Sequence, residues 1–141
     1  MAPNAFPHPS PQRDRASALL LALGFATGPV VLALLLTITY ALTSYRCFPD
    51  GTRLETPHAG WNWVSTAVPL MYVAGIALTA IAALIAWRLW QRTKDEGPGA
   101  TIELGEGRTR FLGVWGLITS ALFIAILAFD LINTFLVPTC A

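Results

Sequence analysis

Charged residues are scarce in this sequence. They make up 12% of the chain, against about 25% in an ordinary soluble domain. Asp, Glu, Lys and Arg are absent from three long stretches, Ala16–Tyr45, Thr56–Trp87 and Phe111–Phe129. A soluble fold of 141 residues lacks the surface to cover three such stretches. The scarcity therefore predicts an integral membrane protein and excludes a large catalytic domain.

Metal and redox ligands are also few. The sequence has two cysteines and two histidines, and neither His8 nor His58 lies inside a long apolar run, so the chain cannot supply paired axial histidines to a membrane haem. No Cys-x-x-Cys motif and no plausible Ser/His/Asp set occurs. The net charge of +1 gives no basic surface for nucleic acid. These absences predict a chain that is not an enzyme by itself and that holds no cofactor or metal.

Three segments are long and apolar enough to cross a bilayer. A helix needs about 20 apolar residues to span a hydrocarbon core of roughly 30 Å. Segments 17–43, 63–87 and 111–137 meet this requirement and are apolar all round, unlike the helices of a soluble bundle. The predicted fold class is therefore an all-α membrane protein with three transmembrane helices. The remaining segments are a Pro-rich tail (1–16), a first loop (44–62), a second loop (88–110) and a C-terminal tail (138–141).

The distribution of basic residues predicts the orientation. The first loop holds only Arg46 and Arg53, whereas the N-terminal tail and the second loop hold the other seven: Arg13, Arg15, Arg88, Arg92, Lys94, Arg108 and Arg110. The positive-inside rule then places the N-terminus and second loop in the cytoplasm, with the first loop and C-terminus outside. We expect a multi-pass protein of the cell inner (cytoplasmic) membrane.

The loops carry few signals of their own. Pro49-Asp50-Gly51 in the first loop predicts a turn, and 100–104 in the second predicts a brief strand. The glycines from Gly97 to Gly107 lack the Gly-Lys-Ser/Thr ending of a phosphate-binding loop. The Pro-rich tail is too poor in core-forming residues to fold alone.

Cys47 and Cys140 form the sharpest candidate pair. Under the predicted topology both follow the outer end of a helix and face the same oxidising compartment, where disulfides persist. A structural disulfide between them is the favoured interpretation. Two unpaired thiols, or a redox or metal-binding pair, are the alternatives.

Asp130 is the only ionisable residue inside a predicted span, which makes it a candidate proton or ion site. Its helical face also carries Asn133 and Thr134, and at similar depth the first helix offers Thr37 and Tyr40, while the second offers Ser65 and Thr66. We therefore predict an intramembrane polar cluster of Asp130, Asn133, Thr134, Tyr40 and Thr37. A hydrogen-bonded structural carboxyl, a proton relay and a contact to a partner subunit all remain open.

Small residues predict the faces on which the helices pack. Gly24 and Gly28 form a GxxxG motif, and Gly75 and Gly116 mark the second and third helices. At about 100° per residue, the glycine side of the first helix lies nearly opposite Thr37 and Tyr40. A second small or polar side on one helix suggests a partner protein.

Aromatic and basic residues cluster at the predicted cytoplasmic interface. Trp87, Arg88, Trp90, Arg110 and Trp115 could line a quinone or lipid-headgroup pocket, or could be ordinary interfacial anchors. Trp61 and Trp63 would mark the outer interface in the same way.

In size and span number the chain is similar to the small three-helix accessory and anchor subunits of respiratory membrane complexes. We therefore expect a non-catalytic accessory subunit of a larger energy-transducing complex, such as a terminal oxidase or a quinone-linked complex. Its expected partners are other integral membrane subunits and lipids. One alternative is a small transporter or proton- or ion-conducting oligomer that uses Asp130, and another is a redox or metallochaperone-type assembly factor that uses Cys47 and Cys140.

Overall fold

The three apolar stretches form three long helices. The computed structural model describes residues 18–52, 54–93, 108–137 and Cys140. Helix α1 spans Ala18–Cys47, α2 spans Val64–Thr93 and α3 spans Arg108–Leu136. Each helix contacts the other two, and each contains a stretch long and apolar enough to cross a membrane. The all-helical fold with three such helices is therefore confirmed.

The helices extend beyond the apolar segments that predicted them. Helix α1 continues to Cys47 and α2 continues to Thr93, so Cys47 is the last residue of its helix and does not follow it. Loss of apolar character marks where a segment leaves the hydrocarbon, but intrahelical hydrogen bonds continue in water as long as the residues tolerate helical angles.

The first connection folds back over the end of α1. It begins with the predicted turn at Pro49–Gly51, where Asp50 (φ 59°) and Gly51 (φ 75°) adopt left-handed angles, which these residue types tolerate. The backbone N–H of Leu54 then donates to the Cys47 carbonyl (2.9 Å), and that of His58 donates to the Arg46 carbonyl (3.1 Å). Segment 54–58 thus satisfies carbonyls that the end of a helix leaves without partners.

The apolar core lies in the half of the bundle that contains the end of α1. Its fully packed members come from all three helices: Leu35, Val64, Val68, Tyr72 and Leu127. The hydroxyl oxygens of Tyr72 and Thr39 lie 3.4 Å apart within this region. The core therefore holds one polar contact between α1 and α2.

Small residues bring the three helices together in the other half. A Cβ atom added at Gly116 would lie 3.3 Å from the Cβ of Ala86 and 3.4 Å from the carbonyl carbon of Gly24. The Ser120 hydroxyl donates to the Gly24 carbonyl at 3.3 Å. Gly24, Ala86 and Gly116 form what we call the small-residue contact.

The other predicted packing glycines also lie between helices. A Cβ at Gly28 would lie 2.8 Å from the Phe123 ring, and one at Gly75 would lie 2.5 Å from Cδ1 of Leu35. The GxxxG side of α1 therefore faces into this bundle and is not free for another protein.

Several predictions fall on residues outside the described ranges. They concern the Pro-rich tail at 1–16, the brief strand at 100–104, and the side chains of the basic residues Arg13, Arg15, Arg53, Lys94, Arg108 and Arg110.

Candidate functional site

A disulfide joins α1 to the segment that follows α3. Cys47 and Cys140 are bonded, with Cα atoms 5.2 Å apart and a sequence separation of 93. The predicted disulfide is confirmed, and the described residues contain no free cysteine. The bond fixes the ends of α1 and α3 beside each other.

A cavity lined by both polar and apolar groups opens next to this end of the bundle. Its volume is about 490 Å³, within the roughly 300–1,000 Å³ of small-molecule sites. All three helices contribute to the wall, which consists of Thr43, Arg46, Val64, Ser65, Val68, Pro69, Tyr72, Asp130, Asn133, Thr134 and Val137.

The α3 wall follows from helical periodicity. Asp130, Asn133, Thr134 and Val137 are spaced so that they share one face, and all four line the cavity. Asp130 is half-buried and lies about 9 Å from the end of α3 at 1.5 Å per residue. Within the described part of the chain its carboxylate has neither a hydrogen bond nor an ion pair.

Arg46 contributes the opposite charge from the last turn of α1. Its side chain is only 7% exposed, and its Nε atom is buried without a hydrogen-bond partner. No ion pair joins it to Asp130 among the described residues, although both line the cavity. A buried N–H without an acceptor loses the hydrogen bond that it would make to water, so an acceptor placed in the cavity beside Arg46 would be stabilised there.

Three of the four hydroxyl groups in the wall already donate their hydrogen atoms to backbone carbonyls. Thr43 donates to Thr39 (2.7 Å) and Ser65 to Asn62 (2.5 Å). Thr134 donates to Leu131 at 2.7 Å. Because each of these hydroxyl hydrogens is used, these oxygens offer only lone pairs to the cavity.

Pro69 adds a further acceptor on α2. It lies inside the helix and has no N–H to donate to the carbonyl of Ser65 one turn earlier. Both residues line the cavity. The site thus has hydrogen-bond acceptors grouped with one carboxylate, and a single guanidinium as its charged donor.

Of the predicted polar cluster, the α3 residues Asp130, Asn133 and Thr134 line the cavity, and the α1 residues do not. Tyr40 is 76% exposed and Thr37 is exposed, with its hydroxyl donating to the Ala33 carbonyl (2.8 Å). Neither lines the cavity, because the inward side of α1 at this depth is the side that carries Thr43 and Arg46. Depth alone cannot tell which side of a helix turns toward its neighbours.

Sequence reasoning missed Arg46 and Tyr72 as members of the site. In the sequence, Arg46 entered only as a positive charge in the first loop, used to predict the orientation of the chain. Its position one residue before Cys47, which the disulfide ties to the end of α3, was the available signal. Ser65, considered as a hydrogen-bond partner, does line the cavity, whereas Thr66 does not.

The aromatic groups lie at opposite ends of the bundle. Trp61 stacks between Tyr45 (6.1 Å between ring centroids) and Trp63 (6.0 Å) at the cavity end. At the other end, Trp87 meets Trp90 edge-to-face, and Phe111 meets Trp115 likewise. Such groups at both ends of apolar helices are typical of interfacial anchors. Arg88 is exposed.

Within the described ranges, no group of three or more His, Cys, Asp or Glu residues is placed to hold a metal ion. Comparison of the chain with protein-family models, with curated proteins and with solved structures finds no match.

Proposed function

We propose that this chain is a non-catalytic accessory subunit that packs its outer surface against a larger membrane protein. One observation carries the proposal. Ala33, Thr37 and Ala41 are spaced four residues apart on α1, and all three are exposed. Small residues at this spacing let two membrane helices approach closely.

We call Ala33, Thr37 and Ala41 the outward row. They give α1 a second side on which another helix can pack closely. At about 100° per residue it lies nearly opposite Gly24 and Gly28, and those two glycines already contact α2 and α3. A three-helix bundle uses one side of each helix, so the outward row is available to a helix of another subunit. Only 17% of the most apolar window of α1 is buried, the smallest share of the three helices.

The proposed setting is an energy-transducing complex, such as a terminal oxidase or a quinone-linked complex. Similarity in size and number of spans to respiratory accessory subunits supports this part. The excess of basic residues in the tail and second loop supports a cytoplasmic N-terminus in an inner membrane. The disulfide supports a structural role for Cys47 and Cys140, because both sulfur atoms are engaged and neither is available as a metal ligand.

Co-purification tests the proposal. The tagged chain is extracted from its native membranes with a mild detergent and analysed by native mass spectrometry. We expect it to be recovered with at least one different membrane subunit. Ala33→Leu, combined with Ala41→Leu, should reduce that recovery about tenfold or more, because the added side chains block close approach.

Ala121→Leu is the matched control. Ala121 is exposed on α3, so a leucine there should leave recovery unchanged. A chain that migrates alone, or only with copies of itself, would contradict the proposal, as would equal losses in the outward-row and control variants.

A second candidate function is conduction of protons or ions through an oligomer. The position of Asp130 in the wall of the cavity favours it, since an accessible membrane carboxylate is a usual element of proton pathways. Asp130→Asn separates the two functions. Loss of ion flux in reconstituted vesicles with assembly intact would favour conduction, whereas unchanged turnover of the parent complex would favour the accessory role.

A further inference from the structure

We propose that the cavity binds the phosphoethanolamine headgroup of a membrane phospholipid. The phosphate would pair with Arg46, and the primary ammonium would pair with Asp130. This site is separate from the outward row of α1 and does not depend on the accessory role.

Arg46 supplies the phosphate partner. Arg46 is only 7% exposed and lines the cavity. Its Nε–H has no hydrogen-bond acceptor. A guanidinium presents several N–H donors in a plane that matches two oxygen atoms of a phosphate. The hydroxyls of Thr43 and Ser65 cannot donate in its place, because their hydrogens point to backbone carbonyls.

Asp130 and its surroundings supply the ammonium partner. A primary ammonium needs up to three acceptors. The wall offers the Asp130 carboxylate, the lone pairs of the Thr134 and Ser65 hydroxyls, and the Ser65 carbonyl that Pro69 leaves without its usual donor. A choline headgroup cannot donate these hydrogen bonds, because its nitrogen carries no hydrogen.

The charge balance selects a zwitterion. The cavity wall contains one cationic and one anionic side chain, and they form no ion pair with each other. An anionic lipid without an amine, such as phosphatidylglycerol, would pair with Arg46 but place no cation against Asp130, whereas phosphoethanolamine satisfies both charges.

The location in the bundle fits a headgroup. Arg46 directly follows the charge-free stretch that ends at Tyr45, so it lies where the apolar part of α1 ends. Tyr45, Trp61 and Trp63 stack at the same end, and stacked aromatics of this kind lie at headgroup level. The apolar residues Val64 and Val68 also line the cavity and suit the start of the acyl chains.

Native mass spectrometry of the purified full-length chain tests the proposal. Phosphatidylethanolamine, phosphatidylcholine and phosphatidylglycerol with identical acyl chains are titrated separately. We expect the phosphatidylethanolamine complex to form with an affinity about tenfold or more above that of the other two, the difference that one charge-assisted interaction supplies.

Variants separate the two ends of the headgroup. Arg46→Gln should weaken phosphatidylethanolamine binding about tenfold or more, and Arg46→Lys should restore part of it. Asp130→Asn should abolish the preference over phosphatidylcholine. Arg88→Gln removes an exposed arginine at the other end of the bundle and should leave binding unchanged.

Other outcomes overturn the proposal. Equal binding of the three lipids, or equal losses in Arg46→Gln and Arg88→Gln, would show non-specific association. Competition by water-soluble glycerophosphoethanolamine at the same concentration as the lipid would assign the site to a soluble ligand. Correct folding of each variant is checked by circular dichroism and by formation of the Cys47–Cys140 bond. If Arg46→Gln fails both checks, Arg46→Lys takes its place and should bind phosphatidylethanolamine less tightly than the wild type does.

Discussion

Replacement of Ala86 by leucine tests whether the small-residue contact holds the bundle together. Ala86 is 2% exposed, and its Cβ lies 3.3 Å from the position of a Cβ at Gly116 and 3.4 Å from one at Gly24. The methyl group of Ala86 therefore already fills the space between two glycines on different helices. Leucine adds three carbon atoms to a place that has no room for them.

The magnitude follows from two effects. Extra methylene groups in a packed interior cost about 1–3 kcal/mol. Separation of α1 from α3 also breaks the hydrogen bond from Ser120 to Gly24, and interhelical bonds of this kind average about 0.6 kcal/mol in membrane proteins. We expect Ala86→Leu to lower the free energy of unfolding by about 2–4 kcal/mol.

The assay is unfolding in mixed micelles with increasing sodium dodecyl sulfate, followed by tryptophan fluorescence. Ala77→Leu is the matched control, because Ala77 lies on the same helix but is exposed, and a leucine there should change stability by less than about 0.5 kcal/mol. If the two variants unfold at the same detergent fraction, the small-residue contact does not stabilise the bundle.

Two further variants probe the links between helices in the same assay. Replacing both cysteines by serine (Cys47→Ser with Cys140→Ser) should destabilise the bundle by less than the roughly 4–5 kcal/mol that the chain-entropy model gives for a loop of this length, because the denatured state keeps its helices in the micelle. Thiol reduction of the wild type should shift the unfolding midpoint by the same amount. An unchanged midpoint would show that packing alone holds the ends of α1 and α3 together. Ser120→Ala should cost about 0.6 kcal/mol, and a loss well above about 2 kcal/mol would mean that Ser120 does more than bond to Gly24.

The number of helices and the disulfide were predictable because they depend only on the order of residue types along the chain. Charge-free stretches show which segments can enter a bilayer. An odd number of spans between Cys47 and Cys140 would have placed the two cysteines on opposite sides of the membrane. Two spans lie between these cysteines, so they meet at the same end. GxxxG spacing likewise predicted that Gly24 and Gly28 lie at a close contact.

The set of residues that line the cavity was not predictable, because it depends on how each helix is rotated about its axis. Hydropathy is nearly uniform around α1, so nothing in the pattern indicates whether Tyr40 or Thr43 faces α3. Rotation is decided by packing, in which Gly24 and Gly28 approach α2 and α3. That approach turns Tyr40 outward and brings Arg46 to the cavity.

Formation of the bond between Cys47 and Cys140 also depends on how many of the helices between them have inserted into the membrane. It joins the end of α1 to a residue that follows α3, so it can form only after α3 has been synthesised. If α2 alone failed to insert, the two cysteines would be delivered to opposite faces of the membrane and could not react. The bond is therefore compatible with both α2 and α3 inserted or with neither, and it excludes a chain in which one of them alone has crossed.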